Sequence, residues 1–574
     1  MPSRSPSEEA QALLDLVSTG RLDRRRFLVL ASTAGLTACY SAPAAEHAVA
    51  AGENQARNQA AGKDSYDYIV VGAGAAGSVV AGELSKTGAN VLVVESGGVD
   101  DAPTISNPSI WFRNVGGPLD WHLAIAPAPQ LNNRKFNMAL GHVLGGGSSI
   151  NALVWSRGMD LDYDSWARNG ATGWAFKDVL PMFKSQEDWE GGANNWRGVG
   201  GPIHLRNVHN PHPTSPALIE AARQMGMPVI DDMNGPMRPG AGYNNMNIAP
   251  DGSRVSAARA FLRPNLGRPN LTLLLNANVT KVVFEGDRAV GVEIAEAAKV
   301  RTVHATREVI LSAGTIHTAQ LLMLSGIGNA DELKKLGIAS VANLRGVGQN
   351  LQDHVLLHGV VYKYKGKMPD RPVDSNATDA KVVLASGHSS HPGDIQLVLE
   401  QLATATPDAA ARFRPPPKEG FTIAPALVQP TSRGQVRLAT ADWRDAPIIE
   451  GNYLSTDQDL AAILRAIDAA RELGRQKAFD DIREAEIIPG PNATSKQDML
   501  DLARTAAASF GHAIGTARIG TDADAVVDSS LHVRGVRGLR VADASVMPSI
   551  VAAPTHAASV MIGGRAATMI AGGS

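Results

Sequence analysis

The sequence predicts an α/β protein: a parallel sheet flanked by helices, into which an α+β unit with an antiparallel sheet is inserted. Three observations predict it. Residues 66–98 read as strand, tight turn, helix and second strand. At 574 residues the chain is far past the few hundred at which a single core usually stops growing, so it divides into at least two domains. Residues 356–505 run through alternating stretches such as Gly434-Gln435-Val436-Arg437-Leu438, then a helical stretch from Asp457 to about Arg475. Strands followed by flanking helices suit a sheet-based cap carried by the first domain.

The first unit is the most specific. Tyr68, Ile69, Val70 and Val71 form an apolar run that ends at Gly72, and Gly72, Gly74 and Gly77 then stand in G-x-G-x-x-G spacing. Ala75 and Ala76 open a helix that runs to about Lys86 and is stopped by Gly88; Val91–Val94 is a second buried strand, closed by Glu95. The first glycine permits the sharp turn, the second lets backbone approach a pyrophosphate, and the third lets helix lie close on strand. The pyrophosphate would rest on the helix N-terminus, where free N–H groups and the macrodipole favour an anion. Glu95 lies 18 positions after Gly77, where a carboxylate accepts both hydroxyls of an adenosine ribose and repels a 2′-phosphate. The unit reads as a Rossmann-like dinucleotide site.

Composition narrows the partners. With 44% apolar and 19% charged residues the chain is an ordinary globular one, and a net charge of −2 leaves no electrostatic footprint for nucleic acid and no broad basic face for anionic membranes. The single cysteine, Cys39, excludes an intramolecular disulfide and a cysteine-based metal cluster; no metal ligands are assigned.

Residues 1–64 are set apart from the fold. Asp23-Arg24-Arg25-Arg26-Phe27-Leu28 resembles the twin-arginine export motif, and the uncharged stretch Phe27–Ala38 has the length of a signal h-region rather than of a membrane span. Leu36-Thr37-Ala38-Cys39 looks like a bacterial lipobox, which would acylate Cys39; the alternative is ordinary cleavage within the Ala-rich Ser41–Ala51 region. Either way the expectation is a protein of the periplasm or cell envelope. The twin-arginine route carries folded proteins, which fits one that first takes up a tightly held cofactor inside the cell. The Ala/Gly/Asn/Gln-rich stretch to Lys63 reads as a disordered tether.

Residues 99–140, rich in Pro, Asn and Gly, read as an extended excursion. They lead into Gly141-His142-Val143-Leu144-Gly145-Gly146-Gly147-Ser148-Ser149-Ile150-Asn151, where three glycines and two serines put donors where no side chain blocks approach to a phosphate or flat ring. Continued through Ala152-Leu153-Val154-Trp155-Ser156-Arg157-Gly158, this stretch resembles the first signature of the glucose-methanol-choline (GMC) flavin oxidoreductases. Gly314–Gly328 resembles the second signature, with Ala319 where the family commonly has proline. Asn276–Val279 with Lys281–Phe284, the landmark Gly346-Val347-Gly348-Gln349-Asn350-Leu351-Gln352-Asp353-His354, and Leu539–Pro548 follow the same family in order.

The resemblance implies FAD as the cofactor and an alcohol as the substrate. It places the FAD cradle on Gly72, Gly74, Ala75, Ala76, Gly77, Glu95, Val143, Gly146, Gly147, Ser148, Asn151, Ala152, Val279, Asp543, Ala544, Thr555 and His556. It divides the chain into an FAD-binding domain of residues 65–160, 240–355 and 506–574 and a substrate-binding cap of residues 161–239 and 356–505. His512, in Gly511-His512-Ala513-Ile514-Gly515-Thr516, matches the family's active-site histidine, and a neutral imidazole is the natural base for a hydroxyl proton. The usual second polar residue falls on Pro554, which has no side-chain donor; His556 in the neighbouring column is taken as the second catalytic residue. Ile150 stands where some relatives attach flavin through histidine, so the FAD is expected to be non-covalent. His142 is open between a pyrophosphate contact and a solvated loop residue. Trp155, Trp166, Trp174, Trp189 and Trp196 are read as cap packing rather than pocket lining. The expected activity is alcohol oxidation with electrons passed to a quinone or cytochrome carrier. The alternatives are an oxygen-using oxidase, a hydroxynitrile-lyase-like enzyme with idle FAD, and a flavin binder with a defunct site.

Overall fold

A computed structural model describes residues 63–236, 238–296, 299–372 and 374–572. The twin-arginine stretch, the lipobox cysteine and most of the expected tether lie outside the described residues.

The nucleotide unit is built as its sequence pattern requires. Strand β1 (Ser65–Val71) leads into helix α1 (Ala75–Ser85) and strand β2 (Val91–Val94), whose four residues are all buried. Gly72 turns the chain at φ 94°, and a Cβ there would stand 2.5 Å from the Ser312 carbonyl oxygen, so strand and turn close only around glycine. β1 pairs in parallel with β2, and β2 in parallel with β3 (Leu271–Leu274). β4 (Asn278–Glu285) and β5 (Arg288–Glu296) form an antiparallel meander that runs into β6 (Lys299–Leu311). The last residues of β6 pair in parallel with β1 on one side and with β7 (Leu539–Val541) on the other. Strand ends, and the loops that leave them, therefore gather at one edge of a parallel core, where ligands of open α/β sheets bind. Helices α2 (Gly314–Leu324) and α3 (His556–Gly572) start at that edge, and α3 lies directly on α1.

The second sheet is antiparallel throughout. Its strands run in the order Arg483–Ile488, Val361–Tyr364, Gly420–Leu427, Ile395–Glu400, Ala380–Leu384 and Gly240–Tyr243, with Val355–Leu357 between Gly420–Leu427 and Ala507–Ser509. The helix Asp457–Gly474 packs on the strand Gly420–Leu427, as the strand-then-helix pattern predicts. Strands Gly240–Tyr243 and Ala507–Ser509 lie within segments that the sequence assigns to the FAD-binding domain, and Val355–Leu357 straddles the 355/356 boundary, so the antiparallel sheet draws strands from both sides of the expected boundaries. Gln435–Arg437, the alternating stretch used to predict this sheet, instead pairs with Ile448–Glu450 in a separate two-stranded ribbon. Residues 99–140 hold only short helical turns and two-residue strands. Among the described residues no helix is long and apolar enough to cross a membrane.

The register of the antiparallel sheet decides which side chains face the nucleotide unit. Lys381 is opposite Val398, Val398 opposite Ala424, Gln396 opposite Ala426, and Ala426 opposite Leu356. Directly opposed residues share a face. That face packs Leu356, Val398, Ala424, Ala426, Val428 and Ala552 into a small apolar cluster, with Phe510 against it.

Candidate active site

One cavity of about 780 Å³ lies between the two sheets. One half is formed by the loops at the edge of the parallel core: Gly72, Gly74, Ala75, Ala76, Glu95, Gly146, Gly147, Ser148, Asn151, Ala152, Val279, Asp543, Ala544, Thr555 and His556 all line it, as does Ile150. The other half is floored by the antiparallel sheet, through Leu356, Lys381, Gln396, Val398 and Glu400, and is closed by Phe510 and His512.

The first half is shaped for a dinucleotide. Gly146, at φ 52°, carries its loop against the first glycine turn, where a Cβ would stand 2.9 Å from the Gly74 Cα. By contrast a Cβ at Gly74, Gly147 or Gly314 would meet nothing within 4 Å, so the backbone there faces open space that a pyrophosphate and a flat ring can fill. No side chain caps α1, and its first turn carries no acid, which leaves N–H groups for an anion. Glu95 is buried; its two oxygens accept the backbone N–H of Ala73 and of Gly97, each at 2.8 Å. A carboxylate has about four acceptor sites, so these two bonds fix its orientation and leave room for ribose hydroxyls.

Two residues expected in the cradle do not line the cavity. A Cβ at Gly77 would lie 2.0 Å from the Gly72 carbonyl oxygen, so this glycine serves the close packing of helix on turn. Val143 is fully buried in a cluster with Ile105 and Ile150 and holds the 141–147 loop against Gly98. Others reach the cavity with polar groups already engaged. The Ser148 hydroxyl donates to the Gly145 carbonyl at 2.6 Å and accepts the Ala257 N–H at 3.1 Å. The Asp543 carboxylate accepts from the Gly314 N–H at 2.9 Å, the Thr318 hydroxyl at 2.6 Å and the Ser545 N–H at 2.8 Å, so it fixes the turn into α2. His142 stacks on Trp121 with 3.8 Å between ring centroids and is not part of the cavity wall. None of Trp155, Trp166, Trp174, Trp189 and Trp196 lines it either.

His512 stands in the other half, in the loop after the strand Ala507–Ser509. Its backbone N–H donates to Asp353 Oδ1 at 2.9 Å, and Asp353 Oδ2 accepts the Tyr453 hydroxyl at 2.7 Å and the Ser509 hydroxyl. Burial raises the Asp353 carboxyl to about 6, against the pull of these donors. The imidazole of His512 meets His354, with 2.9 Å between the two Nδ1 atoms, and His354 Nε2 lies 3.0 Å from the Val551 carbonyl oxygen. A carbonyl only accepts, so His354 carries its proton on Nε2 and offers Nδ1 as an acceptor. His512 must then donate from Nδ1, which leaves Nε2 with a free lone pair. Burial pulls His354 down to about 3, and burial, His354 and Lys381 together hold His512 well below the ordinary histidine range. Both rings are neutral at pH 7.

His556, expected as the second catalytic residue, lines the same cavity, and among the described residues the hydrogen-bond partner of the His512 ring is His354. His556 begins α3, edge-on to Trp155 at 5.4 Å, with no hydrogen-bond partner among the described residues on either ring nitrogen, and burial and the nearby Arg254 pull it down to about 4. The missed partner, His354, and its neighbour Asp353 close the landmark Gly346–His354, so the signal was present in the sequence without its meaning. Lys381, buried on the cavity wall, had no motif to mark it.

A dinucleotide cradle that shares one cavity with an oriented neutral imidazole defines an oxidoreductase of the nucleotide-cofactor class. Comparison with known proteins sharpens this. A family description, GMC oxidoreductase, matches residues 66–356, and its C-terminal counterpart matches residues 430–563. The chain is 36% identical over 538 residues to the mitochondrial choline dehydrogenase of Mus musculus, covering 89% of this chain and 90% of that one. It is 37% identical over 529 residues to the oxygen-dependent choline dehydrogenase of Brucella suis biovar 1, covering 88% and 95%. Among solved structures it resembles pyridoxine 4-oxidase from Mesorbium loti, with a TM-score of 0.83 and 31% identity over 88% of this chain and 98% of that one. The chain belongs to the GMC oxidoreductase family. It is an FAD-dependent oxidoreductase of the alcohol type.

Proposed function

We propose that the protein oxidises a primary or secondary alcohol, with His512 as the base and FAD held without a covalent bond. The observation that carries this reading is the hydrogen-bonded chain from the Val551 carbonyl through His354 to His512, because it leaves Nε2 of a neutral imidazole as a proton acceptor beside the cavity. Bound FAD supplies the two-electron acceptor for the α-hydrogen. The chain's own residues do the rest. The glycine turns at Gly72–Gly74 and Gly145–Gly147 and the uncapped start of α1 hold the pyrophosphate, and Glu95 takes the ribose. His512 takes the hydroxyl proton at Nε2, while Asp353 grips its backbone and His354 keeps its ring in the competent tautomer. His556, at the first residue of α3, serves the cofactor side of the cavity. Ile150 lacks a nucleophilic atom, which supports non-covalent FAD.

The names of the relatives, choline and pyridoxine, support alcohols as the donor class. The arginine pair Arg24-Arg25 and the lipobox at Cys39 support export and an acyl anchor, and an enzyme of the cell envelope has quinones and cytochromes at hand as electron acceptors. The test is an anaerobic screen of sugars, amino alcohols, aryl alcohols and polyols against the yellow holoenzyme, with choline and pyridoxine included. Bleaching of the flavin's visible absorbance by an alcohol is the expected result. A holoenzyme that no alcohol bleaches, yet that turns over a cyanohydrin, refutes the redox reading in favour of a lyase.

A further inference from the structure

The cavity wall carries a cation that nothing in the proposed chemistry uses. Lys381 lies on the strand Ala380–Leu384, all five residues of which are buried, and its own exposure is 3%. Its register opposite Val398 turns it toward the cavity, on the face that also presents Gln396 and the apolar cluster of Leu356, Val398, Ala424 and Ala426. Nζ has one hydrogen-bond partner, the Ser156 hydroxyl at 3.3 Å, and no carboxylate among the described residues comes within ion-pairing distance. A buried ammonium is costly to desolvate unless it is paired, so proteins rarely retain one without an anion to meet it.

Two carboxylates near this half of the cavity are engaged elsewhere. Glu400 is two residues along from Val398, but its carboxylate stands 3.6 Å from His358 Nδ1 and accepts the Thr404 hydroxyl, so it is turned to other partners. Asp353 is gripped by Tyr453, Ser509 and the backbone of His512. Lys381, by contrast, is close enough to His512 to help depress it. Burial brings Lys381 down only to about 8, so most of it is still charged at pH 7.

We propose that the alcohol oxidised here carries a carboxylate on a short apolar body, with Lys381 taking the carboxylate, the apolar floor taking the body and His512 taking the hydroxyl. The inference rests on the alcohol-oxidising reading above and assigns Lys381 a specificity role within it. It also sets this site against a quaternary ammonium donor, since a fixed cation in a low-dielectric cavity repels another.

The experiment uses holoenzyme and matched pairs: 4-(hydroxymethyl)benzoate against 4-(hydroxymethyl)benzamide, and 6-hydroxyhexanoate against 6-hydroxyhexanamide, with choline alongside. The quantity read is the second-order rate constant of anaerobic flavin reduction. The carboxylate of a pair should exceed its amide by at least about tenfold, and choline should be slower than both. In Lys381→Met the carboxylate-to-amide ratio should fall by roughly 10- to 100-fold, the range of a lost charge-assisted hydrogen bond. Because Lys381→Met can fail to fold, dead-end binding to the parent enzyme is read as well: benzoate should perturb the flavin spectrum at lower concentration than benzamide. Amide or choline faster than carboxylate, or equal slowing of both members of a pair by Lys381→Met, overturns the proposal while leaving alcohol oxidation in place. A holoenzyme bleached by no alcohol of any charge removes the alcohol-oxidising reading itself, and this inference with it.

Discussion

Substitution of His354 by phenylalanine tests the tautomer argument most directly. The ring shape is kept and with it the edge contact to Phe510, but both nitrogens are removed, so His512 Nδ1 loses its acceptor and the Val551 carbonyl loses its donor. Losing one partner of a buried hydrogen bond costs about 1–3 kcal/mol. In this site that energy selects the Nδ1–H form of His512; without it the imidazole can carry its proton on Nε2, where it cannot act as a base. At about 1.4 kcal/mol per tenfold, flavin reduction should slow by roughly 5- to 150-fold. The assay is anaerobic stopped-flow reduction at saturating alcohol across pH. In the parent, reduction should be full above the pKa of His512 and lost as pH falls through it. That inflection should lie well below 6.5, because burial above all depresses the group. Removing His354 takes away an acceptor that the imidazolium form of His512 would also use, and should move the inflection further down. A role in packing alone would lower FAD content or Tm without moving it. His354→Phe enzyme that reduces at the parental rate with an unmoved inflection refutes the reasoning.

Three further outcomes are expected. His512→Ala should keep FAD, since the cradle does not use the imidazole, and should reduce roughly 10²- to 10⁴-fold more slowly, whereas His556→Ala should reduce at about the parental rate; a slowed His556→Ala whose loss is not additive with that of His512→Ala would return His556 to proton transfer. Acid denaturation should release free FAD, and Glu95→Arg should purify with less flavin at equal secondary structure by circular dichroism; yellow colour that stays with the precipitate, or full FAD content in Glu95→Arg, contradicts the cofactor assignment. Export should need Arg24 and Arg25, and Cys39→Ala should free the protein from membranes on fractionation; a mature N-terminus downstream of Cys39 rules out the anchor alone.

Much of this protein was legible without a structure because its decisive signals are local. The turn Gly72–Gly77, the helix behind it and the acid Glu95 fall within some thirty residues, and each is dictated by backbone sterics or by the charge of a phosphate and a sugar. The same holds for the glycine run Gly145–Gly147 and for His512 in its short motif. The helix Asp457–Gly474 follows from its period and its Thr456 cap. What tertiary structure alone decided concerns pairs that meet across the chain. His354 and His512 are 158 positions apart, and which nitrogen of His512 is free depends on a third residue, Val551. His556 reads as the base's partner because the partner column holds Pro554, and α3 sets it beside Trp155 and Arg254. Gly77 and Val143 matched cofactor positions but are spent on packing, a distinction made by what stands 2.0 Å from an imagined Cβ and by the neighbours of a buried side chain. Lys381 is the extreme case. In sequence it is one lysine in an apolar run, and only the register of an antiparallel sheet, set by strands from distant parts of the chain, turns that charge into the wall of the active cavity.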